Sequence, residues 1–310
     1  MPEYSDNTIN QATGNVGAVM VLFEPDWKVT AEAIASLAPQ VKLLCIIDNT
    51  PDADNSDRFT GYDNILYIPL KKNSGIAAAQ NIGIRHLSDN GYQFILFSDQ
   101  DTLAPSGIVQ GLIKDYHLLK DRGYNIGLIG PTPVNKSTGQ PYDNPVRVIR
   151  HLECGSRGFT ECRFIISSFS LVPTAHFRTA GLYHESLFID FVENEWCFRL
   201  KLTLGLSAYI SRQLEVRHSL GVSRTFLGKQ INVSSPFRLY FQIRNYFWVR
   251  QLDYVSSEWL RQVKAKLIAK LFYYPIIPRQ RLAYLRSITR GLRDGLYSKP
   301  DFLTLSRRDT

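Results

Sequence analysis

Phe94-Ile-Leu-Phe-Ser-Asp99-Gln-Asp101 joins a short apolar run to two acids set one residue apart. The run from Phe94 to Phe97 is too short for a typical helix and reads as a buried strand. The same signal recurs on both sides of it. Upstream, Val16 to Phe23 is valine-rich and ends at Pro25, which suits a first strand. Val29 to Leu37 follows as a helix with Thr30 as its cap, Val41 to Ile47 as a second strand, and Asp48-Asn49-Thr50-Pro51 as a turn. A strand over Ile65 to Ile68 and a helix over Ser74 to Leu87 lead back to Phe94. Downstream come a helix from Ser106 to Leu119 and a strand from Ile126 to Ile129, closed by Gly130-Pro131. This alternation predicts an α/β fold, a mostly parallel, Rossmann-like sheet flanked by helices. Order weakens between Thr132 and Phe164, and Phe164 to Val172 reads as β again.

The chain has 310 residues, 44% hydrophobic and 21% charged, and a formal charge of +8, which fits one large or two small folded domains and excludes a disordered or collagen-like protein. Pro236 to Thr310 carries 15 Lys and Arg against 5 Asp and Glu, so the basic character belongs to the C-terminal end. The expected organisation is a flexible N-terminus over 1–15, a folded unit over 16–235, and a basic, aromatic helical region over 236–310. Cys45, Cys154, Cys162 and Cys197 show neither Cys-x-x-Cys nor zinc-ligand spacing, so a disulfide framework is not expected. Residues 1–15 lack a secretory signal's basic start and apolar stretch, and no run of 18 apolar residues occurs, which makes a reducing cytoplasm the expected compartment.

In a parallel sheet, ligands collect at the carboxyl ends of the strands. Asp99 and Asp101 stand just past such an end and suit a Mg²⁺ or Mn²⁺ ion bridging to a diphosphate, although turn hydrogen bonds ahead of the next helix account for them equally. Asp48-Asn49 lies beyond another strand, where a carboxylate and an amide can read a base or ribose. Asn73-Ser-Gly75-Ile-Ala-Ala-Ala-Gln-Asn81-Ile-Gly83 opens a helix with small residues, which serves either close ligand approach or close helix-to-sheet packing. It matches neither the dinucleotide nor the P-loop pattern.

Taken in order over Val16 to Gly221, these motifs resemble glycosyltransferase family 2, inverting enzymes of GT-A fold that use nucleotide sugars. The resemblance extends to Phe188-Ile-Asp190-Phe-Val-Glu193-Asn-Glu195-Trp196-Cys197-Phe-Arg199 and to His218-x-x-Gly221, and within the family it points to bacterial rhamnosyltransferases of O-antigen and related polysaccharide assembly. It implies that Asp48 helps hold the nucleotide, that Asn49, Asn73, Gly75 and Asn81 also bind the nucleotide sugar, that Asp99 and Asp101 hold the metal and diphosphate, and that His218 completes the metal shell. It places the catalytic base at Glu193, where the family usually has aspartate, with Asp190 and Glu195 as alternates. Read from the residues alone, Asp190 to Glu193 has capping-box spacing, Glu195 and Arg199 suit a helix-surface ion pair at i, i+4, and His218 suits a core-facing histidine.

The aromatics and arginines of Phe237 to Trp248 suit a helix lying at a membrane interface, with each basic residue adding about 1 kcal/mol of attraction to anionic lipid. They suit equally a solvated helical domain, or one that packs on another copy. The resulting expectation is a metal-dependent transferase that moves L-rhamnose from dTDP-β-L-rhamnose to a polyprenyl-diphosphate-linked glycan at the inner face of the bacterial cytoplasmic membrane. Its rivals are a nucleic-acid-binding protein that uses the basic region and a non-catalytic sugar-nucleotide-binding protein.

Overall fold

Strand β1 (Val16–Leu22) is apolar on both faces because the sheet is covered on both sides. Its side chains alternate between two cores. Val19 joins Cys45, Ile47, Ile95 and Phe97 on one face, while Ala18, Met20 and Leu22 join Leu44, Ile46 and Leu96 on the other. A computed structural model describes residues 15–136, 138–142, 147–218, 223–226, 229–274 and 280–305. All of the segment expected to be flexible except residue 15 lies outside these.

The chain continues through α1 (Trp27–Leu37), β2 (Leu43–Asp48), β3 (Ile65–Pro69), α2 (Ile76–Asp89), β4 (Phe94–Asp99), α3 (Ile108–Asp121) and β5 (Ile126–Asn135). Helix α1 starts earlier than expected because Asp26, not Thr30, caps it, accepting from the Lys28 N–H at 3.1 Å. A hairpin of β6 (Val148–Cys154) and β7 (Arg157–Cys162) follows, then β8 (Leu171–Pro173), α4 (Thr174–Ala180), α5 (Val192–Leu204) and β9 (Ser207–His218). Of the β structure expected over Phe164 to Val172, only the end forms. Ser170 N and Oγ both donate to the Ser167 carbonyl, at 2.8 and 2.9 Å, and Phe169 takes a φ of +55°, so this stretch is a tight turn.

The main sheet runs β3-β2-β1-β4-β8-β5-β9-β7-β6. From β3 to β4 every pairing is parallel; β8 is antiparallel to both β4 and β5, and β5 and β9 are parallel again. The chain builds β1, β2 and β3 outward and then returns to place β4 on the other side of β1. A crevice therefore opens past the carboxyl ends of β1 and β4, where strand order reverses.

A small hairpin, β10 (Ser223–Phe226) and β11 (Lys229–Asn232), leads to α6 (Pro236–Val249), α7 (Ser257–Tyr273), α8 (Arg281–Tyr297) and α9 (Asp301–Leu305). The expected change of module near 235 is a change to helices without a break in packing. Leu239, Ile243, Trp248 and Trp259 belong to the same core as Val19, Phe97 and Trp196. Helix α6 is also not the interfacial helix that its composition suggested: Leu239, Phe241, Ile243, Tyr246 and Trp248 are buried, and the guanidinium of Arg244 stacks 4.0 Å from the Trp248 ring centroid.

Candidate active site

Beyond the ends of β1 and β4 lies a cleft of about 840 Å³. Val21 of β1 and Ser98, Asp99, Gln100 and Asp101 of β4 and its loop form its floor; Ile76 and Gln80 of α2, the turn residues Ser167 and Ser168, and the start of α5 form its walls. Helices α6 and α7 close it with Arg238, Gln242 and Lys270. Residues more than 160 positions apart in the chain thus share one cavity. The Ser168 Oγ is buried and has no hydrogen-bond partner among the described residues.

Glu193 and Asp190 both line this cleft. The capping-box alternative does not form, since α5 starts after Phe191 with no side-chain cap. Phe188, Asp190 and Phe191 all have φ between +64° and +69°, a left-handed conformation that costs about 1–3 kcal/mol at each non-glycine residue. Buried groups of α6 hold the loop in place. The Asn245 amide donates to the carbonyls of Leu187, Ile189 and Asp190 at 2.8, 2.9 and 3.1 Å, and Arg244 donates to those of Ser186 and Leu187 at 2.6 and 3.2 Å. Arg238 grips Asp190 with Nε and Nη2, each at 2.9 Å from a carboxylate oxygen.

Glu193 is half-buried. Burial pushes its carboxyl above the usual glutamate range, and the nearby charges of Asp190 and Asp99 add to this, against the opposing pull of Arg238 and of its own backbone N–H. Glu195, two residues on, is not among the cleft residues. Its carboxylate is fully buried and receives Arg199 Nε at 2.8 Å and the Tyr254 hydroxyl at 2.7 Å, with His184 Nε2 at 3.4 Å. Burial alone would raise its pKa, but His184 and Arg199 together hold it down to about 2. The Glu195–Arg199 pair is therefore interior, not on the helix surface, and Glu195 is occupied as a catalytic alternate.

The other strand end behaves differently. Asp48 is buried and its oxygens accept from the Thr50 N–H at 3.0 Å, Asn55 Nδ2 at 2.9 Å and the Tyr67 hydroxyl at 2.8 Å, so it organises its own loop and does not line the cleft. Asn49 donates to Asn73 Oδ1 at 3.0 Å and accepts from the Ser74 N–H at 2.7 Å, while Asn73 also accepts from the Gly75 N–H at 3.1 Å. Gly75 has φ +84°, and a Cβ there would lie 2.7 Å from the Phe188 ring and carbonyl, so only glycine lets α2 begin beside the Glu193 loop. Asn81 is tied to the Tyr183 backbone and to Glu185, and a Cβ on Gly83 would meet Val19 at 2.6 Å. For this motif, packing is the structural role.

Among the described residues no three His, Cys, Asp or Glu side chains cluster as a ready metal cage. Two hard carboxylates, Asp99 and Asp101, do line the cleft, which fits a Mg²⁺ or Mn²⁺ ion completed by phosphate oxygens of a substrate. His218 ends β9, and its side chain and the Gly221 position lie outside the described residues. The sequence reading missed Arg238 and Gln242, which lie in the Phe237 to Trp248 stretch read as an interfacial or solvated helix and marked as buried by its bulky aromatics, and Lys270 on the following helix.

A mostly parallel sheet with a cleft at its switch point, lined by acids from a strand end and a helix start, fits the GT-A fold of glycosyltransferases. The chain belongs to glycosyl transferase family 2, whose model matches residues 18–177. It is 31% identical over 291 residues to the dTDP-rhamnosyl transferase RfbF of Shigella flexneri, covering 91% of this chain and 95% of that protein. In fold it is similar to S. aureus TarS, with a TM-score of 0.53 and 12% identity over 90% of this chain, and to GalNAc-T7 solved with UDP, GalNAc and Mn²⁺, with a TM-score of 0.51 and 14% identity over 82%. It spans 49% and 54% of those two chains. Membership in an enzyme family displaces both non-enzymatic readings.

Proposed function

We propose that this glycosyltransferase moves L-rhamnose from dTDP-β-L-rhamnose to a glycan acceptor with inversion of the anomeric centre. The observation that carries this reading is the convergence of Asp99, Asp101 and Glu193 in one cavity from a strand end and a helix start. The choice of donor is supported by the resemblance to RfbF along nearly the whole chain.

Asp99 and Asp101, with His218 as the third ligand the family resemblance assigns, would hold a Mg²⁺ or Mn²⁺ ion whose charge offsets that of the departing diphosphate. Glu193 takes the proton of the attacking acceptor hydroxyl. Its raised pKa brings it closer to neutral pH and makes it a stronger base than an ordinary glutamate. Arg238 engages both oxygens of Asp190 in a bidentate ion pair and so keeps this carboxylate out of proton transfer. Asp48, Asn49, Asn73, Gly75 and Asn81 act on the donor indirectly, by fixing the loops that face it.

The acceptor in this proposal is a polyprenyl-diphosphate-linked saccharide on the cytoplasmic leaflet, an O-antigen or other cell-surface polysaccharide precursor. Phe272, Leu282 and Tyr297 on α7 and α8 are 71%, 70% and 83% exposed, and Lys264, Lys266, Arg281 and Arg293 lie on the same two helices. Apolar tips among cations suit an anionic bilayer surface. Among the described residues no helix is long and apolar enough to cross a membrane. Incubation with dTDP-, UDP- and GDP-sugars, with and without Mn²⁺, tests the proposal: metal-dependent turnover of dTDP-rhamnose alone is expected, and preference for another donor contradicts it.

A further inference from the structure

Helix α7 carries three lysines with different surroundings. Lys264 and Lys266 are exposed, as is usual for lysine, whereas Lys270 is partly buried and faces the cleft. Its Nζ lies 2.7 Å from Gln242 Oε1 and 3.4 Å from Ser234 Oγ, and Gln242 Nε2 in turn lies 3.2 Å from Ser234 Oγ. These partners are neutral. Among the described residues no carboxylate lies within ion-pair distance of Lys270. A partly desolvated ammonium held by neutral groups keeps an unmatched charge and a spare donor, which favours an incoming anion.

The position of Lys270 tells which substrate brings that anion. Inversion places the acceptor on the base side of the reacting carbon, opposite the diphosphate. In that reading Glu193 marks the base side and Asp99 and Asp101 the diphosphate side, all three lining the one cleft. Lys270 lies within the field of Asp190 and Arg238. A cleft of about 840 Å³, near the upper end for small-molecule sites, holds a nucleotide sugar and an acceptor sugar together.

Resting on the glycosyltransferase reading above, we propose that Lys270, Gln242 and Ser234 form a phosphate-binding subsite for the acceptor. The phosphate it recognises is attached within one or two sugar units of the attacked hydroxyl, so the enzyme acts early on a phosphate-anchored chain.

The full chain, with its donor site saturated by dTDP and Mg²⁺, is titrated with glucose 1-phosphate and with glucose, followed by NMR. The wild type should bind the phosphate ester at least tenfold more tightly than the free sugar. Lys270→Met should remove that preference, Lys270→Arg should retain most of it, and the Kd for dTDP should change less than twofold in either variant, which also shows that both fold. Equal binding of glucose 1-phosphate and glucose to the wild type overturns the subsite. So does a loss of dTDP affinity in Lys270→Met as large as the loss for the phosphate ester, which would assign the lysine to the donor's diphosphate. A wild type that binds no dTDP has a different donor, and the comparison of ester with free sugar still decides the subsite.

Discussion

Glu193 and Glu195 stand two residues apart in the first turn of α5, yet the helix presents them to opposite environments. One side faces the cleft, where burial and neighbouring acids raise the Glu193 pKa; the other faces an interior of Arg199, His184 and Tyr254, which hold Glu195 at about 2. The same functional group is the base of the proposed mechanism on one face and a structural anion on the other. The difference lies in what each carboxylate meets: Arg199, four residues on, is legible in the local sequence, while His184 and Tyr254 come from other segments.

The largest expected effect comes from removing the base. Glu193→Gln should lower kcat by about 10³-fold, within the usual range for loss of a general base, while donor binding persists. Ionised Glu193 is disfavoured in the fold, so its stability penalty grows as pH rises above 4.5, and thermal melts at pH 8 should show the variant no less stable than the wild type. A variant that loses its fold would break the comparison.

Glu195→Gln should do the reverse. It leaves a buried Arg199 unpaired and should cost about 3–5 kcal/mol in denaturant unfolding, with kcat per folded molecule little changed. A depressed carboxylate stabilises the fold above its unfolded pKa and loses that contribution as pH falls. The wild type should therefore lose stability relative to the variant as pH falls from 4.5 toward 2.

Asn245→Ala sharpens the comparison from the side of the supporting loop. Three carbonyls lose their donor, which should cost about 2 kcal/mol, and the strained turn before Glu193 should relax, lowering kcat more than it raises KM. The smallest effect concerns pH. The acid limb of the wild-type rate profile should lie above the ordinary glutamate range, because Glu193 must be ionised to act.

The parallel half of the sheet was legible in the sequence because strands buried on both faces are written as unbroken apolar runs. Val16–Leu22, Leu43–Asp48 and Phe94–Asp99 all fall within two residues of their expected bounds. The β6–β7 hairpin was not, since its outward residues follow no strict alternation and its turn is only Gly155-Ser156. The acid pair alone read equally well as turn residues, and it was the order of the surrounding motifs that singled it out as a site. Asp48 reads in the sequence as a contact to base or ribose, whereas Asn55 and Tyr67 occupy its oxygens, partners set by the path of a loop. Arg244, Asn245 and Lys270 were illegible for a similar reason, because the backbone and cavity they serve lie some 55 residues or more earlier in the chain.

In the proposed mechanism Asp99 and Asp101 bind the donor's diphosphate through a cation, while Glu193 acts only in the chemical step. Calorimetry of dTDP with and without Mn²⁺, paired with transfer from dTDP-rhamnose, separates these duties. Asp101→Ala should lose the metal-dependent part of dTDP binding, and Glu193→Gln should keep it while transfer stops. Metal-dependent binding that survives in Asp101→Ala, or transfer at the wild-type rate in Glu193→Gln, would contradict the account.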